Sequence, residues 1–454
     1  MEYTEAIDRI MSLVDYERTG SNTGNRPRYD LDRISSLLAK MGNPHLSIPT
    51  VHIAGTKGKG STTAMVGSVL DTAGYKVGLF TSPHLHTFRE RIRIGNDIIC
   101  EERFAGLVED IWPIALSVNE DMQQHVTLFE FLTAMAFVYF SNMDVDIQVI
   151  EVGLGGRLDS TNIVAPLVCG ITSLGLDHTD VLGDTLDKIA LEKAGIIKQG
   201  VPVITASQEP DALRVLRRVC KEQRSNLTVV GKDILWHQGD SSIHGQSFSV
   251  NTSRGDYHLN TPLVGNHQLE NASVAIGILE FLVSEQFEIQ LMHFNQGLSS
   301  VKWPARFEIV SENPMIVVDG AHNPNAAKTL VRAVNKIFPN RSISLVIGVS
   351  SGKDLNGLVE ELNALPLDRV IVTESRHPRA LNTSDIASAF ELFGNLAVTS
   401  SSMSDALRLA TESVSHGEVI LVTGSLFIAA ECREIINGIS PEIYPVFEVQ
   451  RKSG

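Results

Sequence analysis

Short runs of β-branched residues alternate with helix-period segments over most of the chain. Strand-like runs fall at 51–54, 77–80, 147–152, 168–172 and 201–205. Helix-like segments fall at 61–72, 102–111, 128–140 and 185–198. Strands that are apolar throughout are covered on both faces, so the alternation predicts βαβ units on a mainly parallel sheet. Between about 225 and 262 the chain turns polar and turn-rich, with a period-two run at Phe248, Val250 and Thr252. That stretch predicts a small antiparallel patch. A second strand series, at 307–310, 315–318, 343–347, 370–373 and 419–423, begins after Trp303-Pro304. Helices at 326–337 and 426–436 lie between or after these strands. The break at 299–304 is read as a linker between an N-terminal unit, 1–299, and a C-terminal α/β unit, 304–454.

Length supports that division, since 454 residues hold two or three domains of about 150 residues each. Hydrophobic residues at 43% and charged residues at 20% give a globular profile. Lys+Arg is 38 and Asp+Glu is 53, a formal charge of −15. So acidic a chain lacks the basic face that nucleic acid or an anionic membrane requires, although a local basic pocket for a small anion is compatible with it. Cys100, Cys169, Cys220 and Cys432 are far apart with no CxxC pair, which fits a reducing compartment and core packing. The longest apolar stretch, 131–140, contains Thr133 and falls well short of the roughly 20 residues of a membrane span. The first ten residues, MEYTEAIDRI, are acidic and lack the apolar centre of a signal peptide. A cytoplasmic protein without nucleic-acid or membrane partners is expected.

The sharpest chemical feature is Val51-His52-Ile53-Ala54-Gly55-Thr56-Lys57-Gly58-Lys59-Gly60-Ser61-Thr62. A strand enters a glycine-rich turn with a lysine, and a hydroxyl pair opens a helix. Glycines let backbone N–H groups approach an anion, the helix N-terminus adds its positive end, and Lys59 adds a point charge. The spacing departs from GxxxxGK[ST], because Ile53 occupies the first glycine position and Gly60 separates Lys59 from Ser61. The bland alternative is a strand–helix turn with an exposed lysine.

Other strand ends carry chemistry too. The run at 77–80 leads to Thr81-Ser82-Pro83-His84, the run at 147–150 to Glu151 and a glycine-rich loop, and the run at 168–172 to Asp177-His178. Ligands of open α/β sheets bind beyond the carboxyl ends of the strands, so Lys59, Ser82, Glu151 and His178 are candidates for one cleft. A hydroxyl, a carboxylate and an imidazole beside a triphosphate suit magnesium, whose octahedron phosphate and water complete. Each of these residues alone has an ordinary structural reading, His178 more readily than Glu151. Lys193 falls on the apolar stripe of Leu186, Ile189, Ala190, Ile196 and Ile197. Such a lysine either snorkels or works near the cleft, chemically modified or not. In the second series, Arg306 enters the first strand as a candidate phosphate clamp. Asp319 opens Asp319-Gly320-Ala321-His322, either as a ribose contact or in an ordinary turn.

Together these segments resemble the Mur ligase superfamily, specifically its folylpolyglutamate synthase / dihydrofolate synthase branch. The likeness runs from about Asp30 to Glu431 through Gly42–His45, Gly55–Ser61, Thr81–Leu85, Arg89–Ile94, Phe129–Phe131, Glu151–Asn162, Leu176–Ile197, Gly265–Ala272, Trp303–Glu308, Asp319–Pro324, Lys353-Asp354 and Thr423–Ser425. The resemblance implies an α/β fold with a P-loop ATPase-like N-terminal domain and a Rossmann-like C-terminal domain. It also implies ATP-dependent ligation of L-glutamate to a folate or dihydropteroate carboxylate through an acyl phosphate.

Residue by residue, the resemblance implies ATP contacts at Gly55, Thr56, Gly58, Lys59, Gly60, Ser61, Thr62, Asn271, Arg306 and Asp319. It implies magnesium ligands at Ser82, Glu151 and His178, with two Mg2+ sites and a monovalent cation as further expected ions. Folate contacts are implied at Ser82, Pro83, His84, Thr127, Phe129 and Asp159. Lys59, Lys193, Arg306 and His322 are the implied catalytic set, with Lys193 matching a lysine that the superfamily carbamylates. The expected partners are small molecules, and the expected state is a monomer.

Two positions depart from the family pattern. Lys57 stands where the loop usually has Asn, and Ser160 follows Asp159 where Ala is common. The alternative reading is another Mur-type amino-acid ligase. Those carry a UDP-sugar-binding domain before the loop, whereas 54 residues precede Gly55 here. A non-catalytic nucleotide-binding module would be expected to lack the loop lysine or the strand-end carboxylate, and both are present.

Overall fold

The computed structural model describes residues 1–15, 30–412 and 417–442. Its largest sheet has eight strands: β1 (Thr50–Ala54), β2 (Val77–Phe80), β3 (Ile92–Ile94), β4 (Asp97–Ile98), β5 (Ile147–Glu151), β6 (Val168–Ile171), β7 (Val203–Thr205) and β8 (Leu227–Val229). Their spatial order is β4-β3-β2-β5-β1-β6-β7-β8. The six strands from β2 to β8 pair in parallel, while β3 and β4 fold back antiparallel on one edge. Every residue of β1, β2, β5 and β6 is buried, as expected for strands covered on both faces. Helices Lys59–Thr72 and Asn266–Ser284 cover one face, and helix Leu128–Asn142, with Phe131, Phe137 and Phe140 fully buried, covers the other.

The polar stretch forms a three-stranded antiparallel sheet of β9 (Leu235–Ser242), β10 (Gly245–Asn251) and β11 (Asp256–Thr261). Phe248 and Val250 of its period-two run point into the core, and Thr252 lies just past the strand. The third sheet contains β12 (Glu308–Glu312), β13 (Met315–Val318), β14 (Ile343–Ile347), β15 (Leu367–Val372), β16 (Ala397–Thr399) and β17 (Val419–Thr423). Its order is β12-β13-β17-β14-β15-β16, parallel except for the β12 edge. The molecule is therefore α/β with two mainly parallel sheets, as the strand spacing predicts.

Two helices differ from the pattern reading. The segment expected at 102–111 continues through Pro113 to Met122, because Ala115 and Val118 keep the buried face going. Burial of that face outweighs the one backbone hydrogen bond a mid-helix proline forfeits. The helix expected at 185–198 spans Leu186–Ala194 and ends at Gly195, its C-cap. Among the described residues, no helix is long and apolar enough to cross a membrane.

Candidate active site

The order of the large sheet sets the position of the site. From the centrally placed β1 the chain crosses to β2 on one side, and from β5 it crosses to β6 on the other. The carboxyl ends of β1, β2, β5 and β6 thus splay their loops around a switch point, where α/β sheets bind ligands. The glycine-rich loop leaves β1 there. Gly58, at φ 92, is the N-cap of helix Lys59–Thr72, and a Cβ on it would fall 2.1 Å from Asn271 Oδ1. Glycine is required by both the left-handed backbone and the close approach. Gly60 is similarly crowded, since a Cβ there would lie 2.4 Å from Trp303 Cζ2. Thr56 Oγ1 donates to Gly175 O at 3.2 Å, which pins the loop to the segment after β6. Ser61 and Thr62 are buried on the first turn of the helix, and Thr62 Oγ1 has no hydrogen-bond partner.

Lys59 and Glu151 face each other, Nζ to Oε1 at 4.0 Å, with both side chains mostly buried. Burial pushes the Glu151 carboxyl up to about 7, against the opposing pull of Lys59, the Ser82 N–H and Arg306. Ser82 N donates to Glu151 Oε2 at 3.3 Å, so the loop after β2 meets the end of β5. Pro83 follows Ser82 across a cis peptide bond. His178 lies on the loop after β6 at φ 50, Nε2 3.9 Å from Asp177 Oδ1, and is half exposed. Among the described residues, no three His, Cys, Asp or Glu side chains gather as a metal cage. The structure brings Ser82 to Glu151, while the contacts of His178 are with Asp177, and the Glu151–Ser82 end fits a cation. Glu151 is a buried carboxyl in need of positive charge, and a hard cation takes oxygen ligands from hydroxyls, phosphates and water.

Lys193 is 4% exposed, as the stripe predicts, and its Nζ donates to Gly55 O at 2.9 Å. Burial, helped by the charge of Lys59, holds the amine down to about 7. It therefore neither snorkels to solvent nor carries a full-strength ammonium.

The third sheet presents its own loops to this edge. Arg306 Nη1 donates to Ala305 O at 2.9 Å, and the guanidinium charge is felt by Glu151 of the first sheet and Asp319 of the third. Both carboxylate oxygens of Asp319 accept backbone N–H groups, from Phe307 and Ala321, each at 2.8 Å. His322 Nδ1 lies 2.9 Å from Gly320 O, and burial with nearby Lys57 holds the imidazole down to about 3, so it is neutral. Asn271 is buried on helix Asn266–Ser284 beside Gly58.

The expected folate residues divide. Phe129 sits over Gly153, where a Cβ would be 2.4 Å from its Cζ, and its ring is 5.8 Å from Phe80. His84 lies in a pocket against Phe88, ring centroids 4.4 Å apart, with its Nδ1 accepting from Arg91 Nε at 2.9 Å. Thr127 and Asp159 work locally. Thr127 caps helix Leu128–Asn142 in a reciprocal box with Glu130, and Asp159 accepts from the N–H groups of Leu154 and Thr161.

The contacts of Lys57, and the places of Asp177, Lys353, Arg93 and His267, emerge only from the folded structure. Lys57 Nζ donates to Asp177 Oδ2 at 2.9 Å, and Lys353 Nζ lies 3.8 Å from the other oxygen. Burial works against the Asp177 carboxylate, but Lys57, by charge and hydrogen bond, holds it well below the usual range. Arg93 lies over the Trp303 ring at 5.2 Å, with its buried Nε and Nη2 lacking hydrogen-bond partners. Burial, helped by the positive charge of Arg306, holds the His267 imidazole down to about 4. Lys57, out of place in its motif, was the one available signal. The rest depends on contacts between residues far apart in sequence.

A phosphate-type loop with a lysine, a buried carboxylate and an arginine from the third sheet acting on that carboxylate suit a nucleotide held at the edge of an α/β sheet. Residues 53–279 match the Mur ligase middle domain, and residues 305–426 match the Mur ligase, glutamate ligase domain. The chain is 35% identical over 407 residues to the dihydrofolate synthase/folylpolyglutamate synthase of Bacillus subtilis, covering 89% of this chain and 94% of that one. It also matches the structure of Mycobacterium tuberculosis folylpolyglutamate synthase complexed with ADP and AMPPCP, at TM-score 0.89 and 30% identity, covering 97% of this chain and 100% of that one. Escherichia coli FolC in complex with DHPP and ADP aligns at TM-score 0.83 and 30% identity, covering 96% and 98% of the two chains. The chain belongs to the Mur ligase family and, within it, to the folylpolyglutamate/dihydrofolate synthases.

Proposed function

We propose that this chain joins L-glutamate to the carboxylate of a folate or dihydropteroate at the expense of ATP. The observation that carries the reading is the Lys59–Glu151 pair at the switch point, with the charge of Arg306 from the third sheet acting on Glu151. The division into units 1–299 and 304–454 suits this chemistry, because the helix Leu291–Ser299 ends where the linker begins and the cleft lies between the two sheets.

In this reading Gly58, Gly60 and Ser61 line the phosphates with backbone N–H groups and a hydroxyl, and Lys59 neutralises the transferring phosphoryl group. The substrate carboxylate attacks the γ-phosphorus, ADP leaves, and an acyl phosphate forms. The amine of L-glutamate then attacks the acyl carbon and phosphate departs from the tetrahedral intermediate. Arg306 balances phosphoryl charge from the opposite side, Asn271 packs on the phosphate loop, and Asp319 keeps lone pairs for a ribose. Neutral His322 turns its Nε2 toward Lys57 of the phosphate loop, and closure of the two units excludes water that would hydrolyse the acyl phosphate.

Glu151, Ser82 and His178 would hold Mg2+, and the ion when bound neutralises phosphate charge. Lys193, as a neutral amine, adds carbon dioxide and releases a proton to become a carbamate. That anion would sit beside Gly55 and extend the cation site. His84 and Phe129 offer aromatic faces to a pterin. The test is incorporation of labelled L-glutamate with dihydropteroate and with tetrahydrofolate in parallel. Incorporation into either supports the reading, and the pattern between them separates one activity from two. No incorporation into either overturns it.

A further inference from the structure

Four segments meet at one carboxylate between the two sheets. Asp177 Oδ2 accepts from Lys57 Nζ at 2.9 Å and from Asn323 Nδ2 at 3.5 Å. Its Oδ1 accepts from the His178 N–H at 3.1 Å and faces Lys353 Nζ at 3.8 Å. Asp177 and Lys57 belong to loops of the first sheet, whereas Asn323 and Lys353 belong to loops of the third. Lys57 also reaches across on its own, with Nζ 3.5 Å from His322 Nε2.

The hydrogen-bond inventory fixes the direction of that contact. The Gly320 carbonyl can only accept, so the His322 proton is on Nδ1 and Nε2 presents a lone pair to the lysine. Asn323 has two tasks at once, since its Oδ1 caps helix Pro324–Ile337 through Ala326 N at 3.0 Å while its Nδ2 points at Asp177. The start of that helix, His322 and the phosphate loop are therefore held in one arrangement by one carboxylate and one ammonium. With side-chain exposures of 36% and 14%, Lys57 and Asp177 form a half-sheltered pair, which is screened less than a surface one.

We propose that Lys57 and Asp177 are a positioning pair that docks the His322–Asn323 turn of the third sheet onto the phosphate loop. Lys57 thus acts away from the phosphates, as the hinge between loop and second unit. In amide formation the pair sets how the third sheet meets the phosphate loop, rather than how nucleotide binds. This rests on the ligase reading.

The experiment compares wild type with Lys57→Met, Asp177→Asn and the double variant. The rate is measured with L-glutamate varied at saturating ATP, ADP affinity by equilibrium binding, and amide hydrogen exchange over residues 320–326. Each single variant is expected to lower kcat/KM for L-glutamate about tenfold or more, and the double variant no further, because one pathway is broken once. ADP affinity is expected to stay within about threefold, and exchange at 320–326 to accelerate. Losses that multiply in the double variant, weakened ADP binding with unchanged L-glutamate kinetics, or unchanged exchange would each overturn the pairing. A wild type without glutamate transfer counts against the ligase reading alone, since the exchange comparison still decides the docking. Should Asp177→Asn fail to fold, Lys57→Met decides it by the same three readouts.

Discussion

The Nζ of Lys193 donates to the carbonyl oxygen of Gly55 at 2.9 Å, so a lysine on an otherwise apolar helix stripe is tied to the first glycine of the phosphate loop. Burial and the charge of Lys59 hold this amine down to about 7, and a neutral amine is the form that adds carbon dioxide. Lys193→Ala is expected to lower kcat by at least about a hundredfold if the carbamate orients a bound cation. A short carboxylic acid should partly restore turnover, because it returns an anion to the vacated space. An unmodified Lys193 in fully active enzyme, seen by intact mass or by diffraction, would contradict the carbamate.

Lys59 is the cation nearest Glu151 and opens the helix that follows the loop. Lys59→Ala is expected to reduce kcat about a thousandfold through lost charge stabilisation of the phosphoryl group. It also leaves Glu151 buried without its main opposing charge. Steady-state turnover is the check, and a near-normal kcat removes Lys59 from the mechanism.

Gly60 has no room for a side chain, because a Cβ would lie 2.4 Å from Trp303 Cζ2, and Trp303 is itself backed by Arg93. Gly60→Ala should push the linker tryptophan aside and misplace Arg306, three residues further on. A loss of about tenfold or more in kcat/KM is expected, since small misplacements at a reacting centre are costly. Trp303→Ala in the same chain should recover part of that loss. If the two changes simply multiply, the contact does not transmit the effect.

The strands were legible because central parallel strands are apolar at every position, and the bounds of β2, β13, β14 and β17 match the runs read from sequence. The short edge strand β16, with its exposed Val398, carries no such run and was not seen. Helix Glu101–Met122 outran its expected end because burial of Ala115 and Val118 overrode Pro113. Within the site, Lys59, Ser82, Glu151 and His178 were legible as residues at strand ends, which topology brings to one edge. The Asp177 hub was not, since nothing local distinguishes a carboxylate whose partners are Lys57, Asn323 and Lys353. Thr127 and Asp159 carry a second lesson. Both sit where the motif places them, yet their hydrogen bonds serve a helix cap and a loop.

His52 is fully buried on β1, with Nε2 2.9 Å from Thr161 Oγ1 and Nδ1 unpartnered, and burial holds it down to about 3. The imidazole stays neutral in the fold, whereas in the unfolded chain it takes up a proton below about pH 6.5. Its contribution to stability is therefore intact above that pH and falls as pH drops toward 3, by roughly 1.4 kcal/mol per unit. Chemical denaturation between pH 7 and pH 4 should show a shallower decline in His52→Gln than in wild type. Parallel curves for the two proteins would contradict a neutral buried His52.

The proposed ligation requires an acyl phosphate formed between a folate-type carboxylate and ATP. The most direct measurement uses dihydropteroate or tetrahydrofolate labelled with heavy oxygen in the reacting carboxylate, together with ATP and L-glutamate. The released inorganic phosphate is then analysed by mass. ADP is the expected nucleotide product, with one labelled oxygen carried into phosphate for each amide formed. Amide formation with unlabelled phosphate, or with AMP and pyrophosphate, would contradict the acyl phosphate.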